Sequence, residues 1–294
     1  MRLPWGGRNP GYARAHRARP VMLGLMATWL ACQALAMPPA AAEAASTTPQ
    51  RVLWAWSRSD DMSFLARADM QGIGVAYLSG EILLRRDGVR VLPRVRPLRL
   101  PRDVERTAVI YLEVSRGFRE RLDDEAVRRL AGRVRRLPLV RDADRVQLNF
   151  EAVQSRRPLW DALVAELRRQ LPPTQALDVA VLADWCMDPR FAPAGVDRTV
   201  PMLYRLGPLS PALARVLDGT ASFPAAACRD ALGIATDELE LAAPRALARA
   251  RRVYLFSPGA WTAQRLLEVE AVLATDPADP AGEPAGKPAG EPAG

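Results

Sequence analysis

Histidine is almost missing from this sequence of 294 residues; the one copy is His16. It lies in a stretch that reads as a secretory leader. Arg2, Arg8, Arg14, Arg17 and Arg19 form a basic start, Val21 to Met37 is apolar, and Ala40 to Ala45 is a run of small residues. That order is the signal-peptide pattern, assigned here to residues 1–44, without a twin-arginine pair. The rival reading is an uncleaved anchor, because about 17 apolar residues nearly span a bilayer. Gln33 and Pro38-Pro39 followed by alanines argue for cleavage. Cys32 follows Trp29-Leu30-Ala31 and so lacks the leucine of a lipidation box. The cleaved chain, expected in the periplasm or outside the cell, would hold no histidine. Ser-His-Asp and Cys-His nucleophiles and histidine-based zinc sites are then excluded. Neither a cofactor nor a metal is expected. Carboxylates, tyrosines, lysines and backbone groups remain for any chemistry.

Cysteine is also scarce. Beyond the leader only Cys186 and Cys228 occur, and in an oxidising compartment an even pair most simply forms one disulfide. Closing that loop of about 43 residues stabilises the fold by roughly 4 kcal/mol on a chain-entropy basis. The rival, a catalytic thiol, has no histidine to activate it. No later stretch is long and apolar enough to cross a membrane. Aromatics make up 6% of the chain and few sit among the arginines. Pairs such as Arg128-Arg129 and Arg135-Arg136 therefore read as solvated helix surface, not as a nucleic-acid site. Loss of the leader takes five arginines and one glutamate, lowering the net charge from +8 to about +4.

The C-terminal run from Asp276, with its repeated Pro-Ala-Gly, cannot bury a core and is expected to stay disordered to residue 294. Residues 49–275 alternate between strand and helix patterns. Strands are expected at Arg51–Trp56, Ile73–Leu78, Ala108–Val114, Arg145–Glu151, Leu177–Ala183, Thr199–Tyr204, Ala231–Ala235 and Val253–Phe256. A hairpin through Val89–Leu100 follows the second. Helices are expected at Asp124–Leu137, Pro158–Leu171, from Pro211, at Pro244–Arg251 and at Thr262–Ala274. Eight strand patterns mostly separated by helices indicate one α/β domain, a (βα)8 TIM-type barrel, irregular at strands two and seven.

In such a barrel, functional groups gather at strand C-termini. On the fourth strand Val146, Leu148 and Phe150 share one face, while Gln147, Asn149 and Glu151 share the other. If the apolar set meets the helices, the polar set enters the barrel, where it needs partners or marks a site. Trp54 and Trp56 alternate on the first strand, and Tyr111 and Glu113 on the third. Asp184 and Trp185 end the fifth, Met202 and Tyr204 lie on the sixth, and Trp261 follows the eighth. Rings beside carboxylates suit a sugar, and a carboxyl near tryptophan can be tuned into a general acid. The bland reading keeps these tryptophans in the core and pairs these acids with arginines.

The segments RVLWAWSR, GIGVAYLSGEILL, VQLNFEAVQSRRPLW, LDVAVLADWC, VDRTVPMLYRLG, CRDALGIATDE and RRVYLFSPGAWT, in that order, resemble a bacterial family, the domain of unknown function numbered three-one-four-two. The resemblance spans most of residues 51–262 and implies an exported barrel protein. In that family's fourth-strand pattern, glutamine-x-Asp-Phe-Asp, the two acids are here Asn149 and Glu151. More remotely, Asp144, Gln147, Asn149 and Glu151 are similar to the D-G-x-D-x-D-x-E strand of family-eighteen chitinase barrels. That likeness implies Glu151 as proton donor, with Asn149 and Tyr204 orienting a substrate acetamide. Asp184 or Glu113 is the candidate second carboxylate. Gln147, Met202, Trp54, Trp56, Trp185 and Trp261 complete the expected carbohydrate site. The expected activity is glycoside-hydrolase-like, on an envelope or extracellular polysaccharide. The alternatives are a non-catalytic carbohydrate-binding barrel and a structural or partner-binding one.

Overall fold

The computed structural model describes residues 49–115, 117–118, 122–150, 156–206, 209–239 and 244–274. The expected leader (1–44) and tail (276–294) lie outside the described residues. The strands are β1 (Gln50–Ala55), β2 (Asp60–Asp61), β3 (Gly74–Arg85), β4 (Gly88–Pro93), β5 (Leu98–Arg99) and β6 (Arg106–Val114). They continue with β7 (Arg145–Phe150), β8 (Ala176–Leu182), β9 (Arg198–Leu203), β10 (Ala231–Ala235) and β11 (Arg252–Phe256). The helices are α1 (Asp124–Arg135), α2 (Pro138–Arg141), α3 (Arg157–Gln170), α4 (Pro211–Leu217), α5 (Pro244–Leu247) and α6 (Ala263–Ala274). Parallel pairing runs β3-β6-β7-β8-β9-β10-β11-β1, and β1 also pairs with β3. The eight parallel strands therefore close into the TIM-type α/β barrel that the alternation of patterns indicates.

Closure divides the core into two layers. Val146, Leu148 and Phe150 of β7 join the outer cluster, which also holds Val127, Leu130 and Val134 of α1 and Trp160, Leu163 and Leu167 of α3. Val52 and Trp54 of β1, Ala76 of β3, Val109 of β6, Val200 and Met202 of β9 and Tyr254 of β11 form the inner cluster. The period of two decides this, because successive side chains of a strand point to opposite faces. Helix ends are chemically marked. Asp123 caps α1 by accepting from the Ala126 amide at 2.7 Å, and Ser210 caps α4 by accepting from the Leu213 amide at 3.2 Å. Each well-buried leucine on these faces contributes about 1.5–3 kcal/mol.

The irregularity falls on one side. β1 is followed by short 3-10 turns at Ser63–Ala66 and Ala68–Met70. β3 runs on beyond the ring and folds back onto antiparallel β4, pairing Gly80 with Pro93 through Arg85 with Gly88. β5 pairs with β2 instead of extending the hairpin, as the pattern through Val89–Leu100 suggests it would. The helix expected at Pro244–Arg251 is the single turn α5. Cys186 and Cys228 form the expected disulfide. Among the described residues, no helix is long and apolar enough to cross a membrane.

Candidate functional site

At the N-terminal end of the strands, the barrel floor is ionic and closed. Asp178 of β8, 0% exposed, accepts from Arg145 Nε at 2.7 Å and Nη2 at 2.5 Å. Tyr254 Oη donates to the same carboxylate at 3.3 Å. Burial, reinforced by the Asp178 charge, pushes the Tyr254 hydroxyl up to about 12. Arg252 grips Glu105 with both terminal nitrogens and also reaches Gln50. Burial pushes the Glu105 carboxyl up, but Arg252 outweighs it and holds the group below its ordinary value. Above this floor the Trp54 indole donates to Gln147 Oε1 at 3.2 Å. Gly233 gives the ring its space: a Cβ there would lie 3.1 Å from Trp54 Cη2 and 3.3 Å from Cζ3.

The mouth is different. One rung joins Glu81 of β3 to Tyr111 of β6, Asn149 of β7 and Ala180 of β8. In-register residues of neighbouring strands share a face, and Ala180 belongs to the inner cluster, so the rung faces the axis. Five rings gather here, Tyr111 of the rung among them. Trp56 meets Tyr111 edge-on at 5.7 Å and Phe256 at 6.2 Å. Tyr204 stacks on Phe256 at 5.6 Å and meets Trp54 at 6.2 Å. The Tyr204 hydroxyl donates to Met202 Sδ at 3.0 Å. Asn149 is 1% exposed, yet among the described residues its Oδ1 has no hydrogen-bond partner, nor has Gln147 Nε2 below it. Since the indole N–H can only donate, it fixes Gln147 Oε1 toward Trp54 and leaves Nε2 facing elsewhere. A buried polar atom left alone costs about 1–3 kcal/mol; Thr107 Oγ1 at the floor and Trp160 Nε1 in the outer layer are in the same state among the described residues.

Behind the mouth, the buried Arg94 holds the end of β1 in place. It donates to the backbone oxygens of Trp56 and Arg58 and to Asp60 Oδ2, the last at 3.0 Å. Burial pushes the Asp60 carboxyl above its ordinary value despite the pull of Arg94.

The structure thus brings Gln147, Asn149, Trp54, Trp56, Met202 and Tyr204 to the inner face. Glu113 stands on the same face, in register with Leu83 two places beyond the Glu81–Tyr111 pair, and its carboxylate meets Arg85 at 3.1 Å. Glu151 lies outside the described residues. Asp184 is exposed on the 3-10 turn Ala183–Met187. Trp185 lies elsewhere: it is 3% exposed in the outer layer, against Trp160 at 5.3 Å and Phe191 at 5.7 Å. Trp261 also packs in the outer cluster, where its indole donates to the Trp54 backbone oxygen at 3.0 Å. These two side chains support the mouth from outside and do not line it.

Glu81, Phe256, Gly233 and Arg94 escape the sequence reading. Phe256 was visible as the last residue of a strand pattern; Glu81 was hidden by an irregularity. Pairing of β3 with β6 shifts between Leu78 and Gly80, so Ser79 is an extra residue in β3. Strict alternation from Ala76 and Leu78 would turn Glu81 outward, and the bulge turns it in. Gly80 is needed there, because a Cβ would lie 2.7 Å from Leu137 Cδ1 and 2.9 Å from the Leu92 oxygen. Among the described residues, no group of three or more acidic, cysteine or histidine side chains is placed to hold a metal. Comparisons with protein-family models, with curated proteins and with solved structures found no match. Fold and site together define a TIM-type barrel whose strand C-termini carry an aromatic ring set around an acid-phenol-amide row.

Proposed function

We propose that this mouth binds a carbohydrate and that the protein is a glycoside-hydrolase-like barrel exported to act on an envelope or extracellular polysaccharide. The observation that carries the reading is the rung Glu81–Tyr111–Asn149, which sets an acid, a phenol and a buried amide on the axis-facing side, with Trp56 against Tyr111 and Tyr204 and Phe256 in the same ring cluster. Sugar C–H faces stack on rings, while hydroxyl and amide groups need the acceptors and donors between them. Glu151 is assigned the general acid, since it follows Asn149 by two places on the axis-facing side of the β7 pattern. Glu113 is the second carboxylate to weigh. A carboxyl separation of about 5–5.5 Å would give retention, and about 6.5–9.5 Å inversion. Export rests on the leader pattern, and the disulfide supports it, because such bonds persist in oxidising compartments. Membership of the exported barrel family that the ordered segments resemble belongs to the same reading.

Hydrolysis of a polysaccharide panel by wild type and by Glu151→Gln tests the assignment. The expected result is a loss of at least about a hundredfold in the variant. Equal rates would remove Glu151 from the mechanism. A second reading, a barrel that binds without cleaving, is favoured by the amides at 147 and 149, where a chitinase-like strand carries acids. Binding of a glycan with no product released by wild type would select it.

A further inference from the structure

The geometry points to a sugar carrying a free, protonated amine as the unit held at the Glu81–Tyr111–Asn149 rung. This rests on the carbohydrate reading of the mouth and narrows it.

The argument starts from charge pairing on the wall that β4, β3 and β6 raise beside the mouth. Register places Glu81, Leu83, Arg85, Arg90, Leu92, Tyr111 and Glu113 on one face of that wall. Three arginines near it already have acids. Arg85 meets Glu113 at 3.1 Å, Arg90 pairs with Asp87, and the buried Arg94 holds Asp60 at 3.0 Å. Glu81, partly exposed, has no ion pair and no side-chain hydrogen bond among the described residues. It is a carboxylate facing the axis without a cation.

The rest of the rung asks for the same chemistry. Neighbouring strands are about 4.8 Å apart, so Asn149 lies roughly 10 Å from Glu81 with Tyr111 between them, the span of one to two sugar units. Asn149 Oδ1 is buried without a partner and needs a donor. Trp56 packs against Tyr111 and Phe256, and Trp54 against Tyr204, so ring faces and edges crowd the same space. At Glu81 a carboxylate without a cation, beside clustered aromatic rings, favours an ammonium group over a hydroxyl or an acetamide, while Asn149 Oδ1 takes a donor from the far end of the same sugar or from the next one. The ammonium supplies up to three N–H donors, satisfies the charge of Glu81, and is attracted by ring faces. An acetamide offers one N–H and no charge.

Calorimetric titration of the full chain with three oligosaccharides of one length and linkage tests this: glucosamine units, N-acetylglucosamine units and glucose units, below the pKa of the amine. The glucosamine oligomer is expected to bind at least about tenfold more tightly than either of the others. Glu81→Gln is expected to bring the glucosamine oligomer's affinity down to that of the other two, leaving the thermal unfolding midpoint unchanged. Equal or tighter binding of the acetylated oligomer, or an undiminished preference in Glu81→Gln, overturns the inference and leaves the carbohydrate reading standing. If none of the three binds, the carbohydrate reading falls and the inference falls with it.

Discussion

The two ends of this barrel differ in how their carboxylates are paired, although the floor too leaves buried atoms, Arg106 Nε, Thr107 Oγ1 and Arg198 Nη1, without a hydrogen-bond partner among the described residues. At the floor, Asp178 is satisfied by Arg145 and Tyr254, and Glu105 by Arg252 and Gln50. At the mouth, among the described residues, Asn149 Oδ1 is buried alone, Gln147 Nε2 is likewise alone beneath it, and Glu81 has no cation. A charge removed from water is tolerable only with a partner, so the floor is a closed structural lock. Groups left open at the other end weaken the fold slightly, and on the proposed reading a ligand completes them. The contrast follows the division of labour in such barrels, stability at the strand N-termini and chemistry at the C-termini.

The largest effect expected from this contrast is at the floor. Asp178→Ala strands Arg145 in a buried position and should lower stability by about 3–5 kcal/mol, read by denaturant unfolding. A loss under about 1 kcal/mol would mean that the floor is hydrated and no lock at all. The pH dependence comes next. The folded Glu105 carboxyl sits below its ordinary 4.5, so its contribution is fully present above that value. It is lost as pH falls through the lower folded value. Acid unfolding of wild type against Glu105→Gln measures this, and the variant should show a shallower loss of stability below pH 4.5. Identical slopes would remove Glu105 from the acid response. The smallest stability effect is expected at the mouth. Asn149→Leu removes a lone buried acceptor and should leave stability unchanged or raise it by up to about 1 kcal/mol, while abolishing sugar binding. A destabilisation as large as that of Asp178→Ala would erase the distinction between the ends.

Much of the fold was legible because strand period and helix period differ, and because Asp123 and Ser210 mark helix starts by hydrogen bonds that their residue types favour. The inward face of β7 was legible for the same reason: alternation separates Val146, Leu148 and Phe150, expected against the helices, from Gln147 and Asn149. Alternation cannot see a bulge. Ser79 inverts the facing of everything after it in β3, so Glu81 was hidden in a stretch that otherwise reads as plain strand. Nor can composition separate Trp54 from Trp185. Trp54 lies within a strand pattern and Trp185 follows one, on a 3-10 turn that swings it toward Trp160 and Phe191. Arg94 follows a hairpin whose return path no local pattern specifies, so its hold on the Trp56 oxygen became visible only in three dimensions.

The most direct test of the central claim is a crystal structure of the protein grown with a hexosamine oligosaccharide. The account requires a sugar ring seated among Trp56, Tyr204 and Phe256, with one of its donors on Asn149 Oδ1. A sugar bound only away from the strand C-termini, or a protein side chain occupying Asn149 Oδ1 and sealing the mouth, would contradict it.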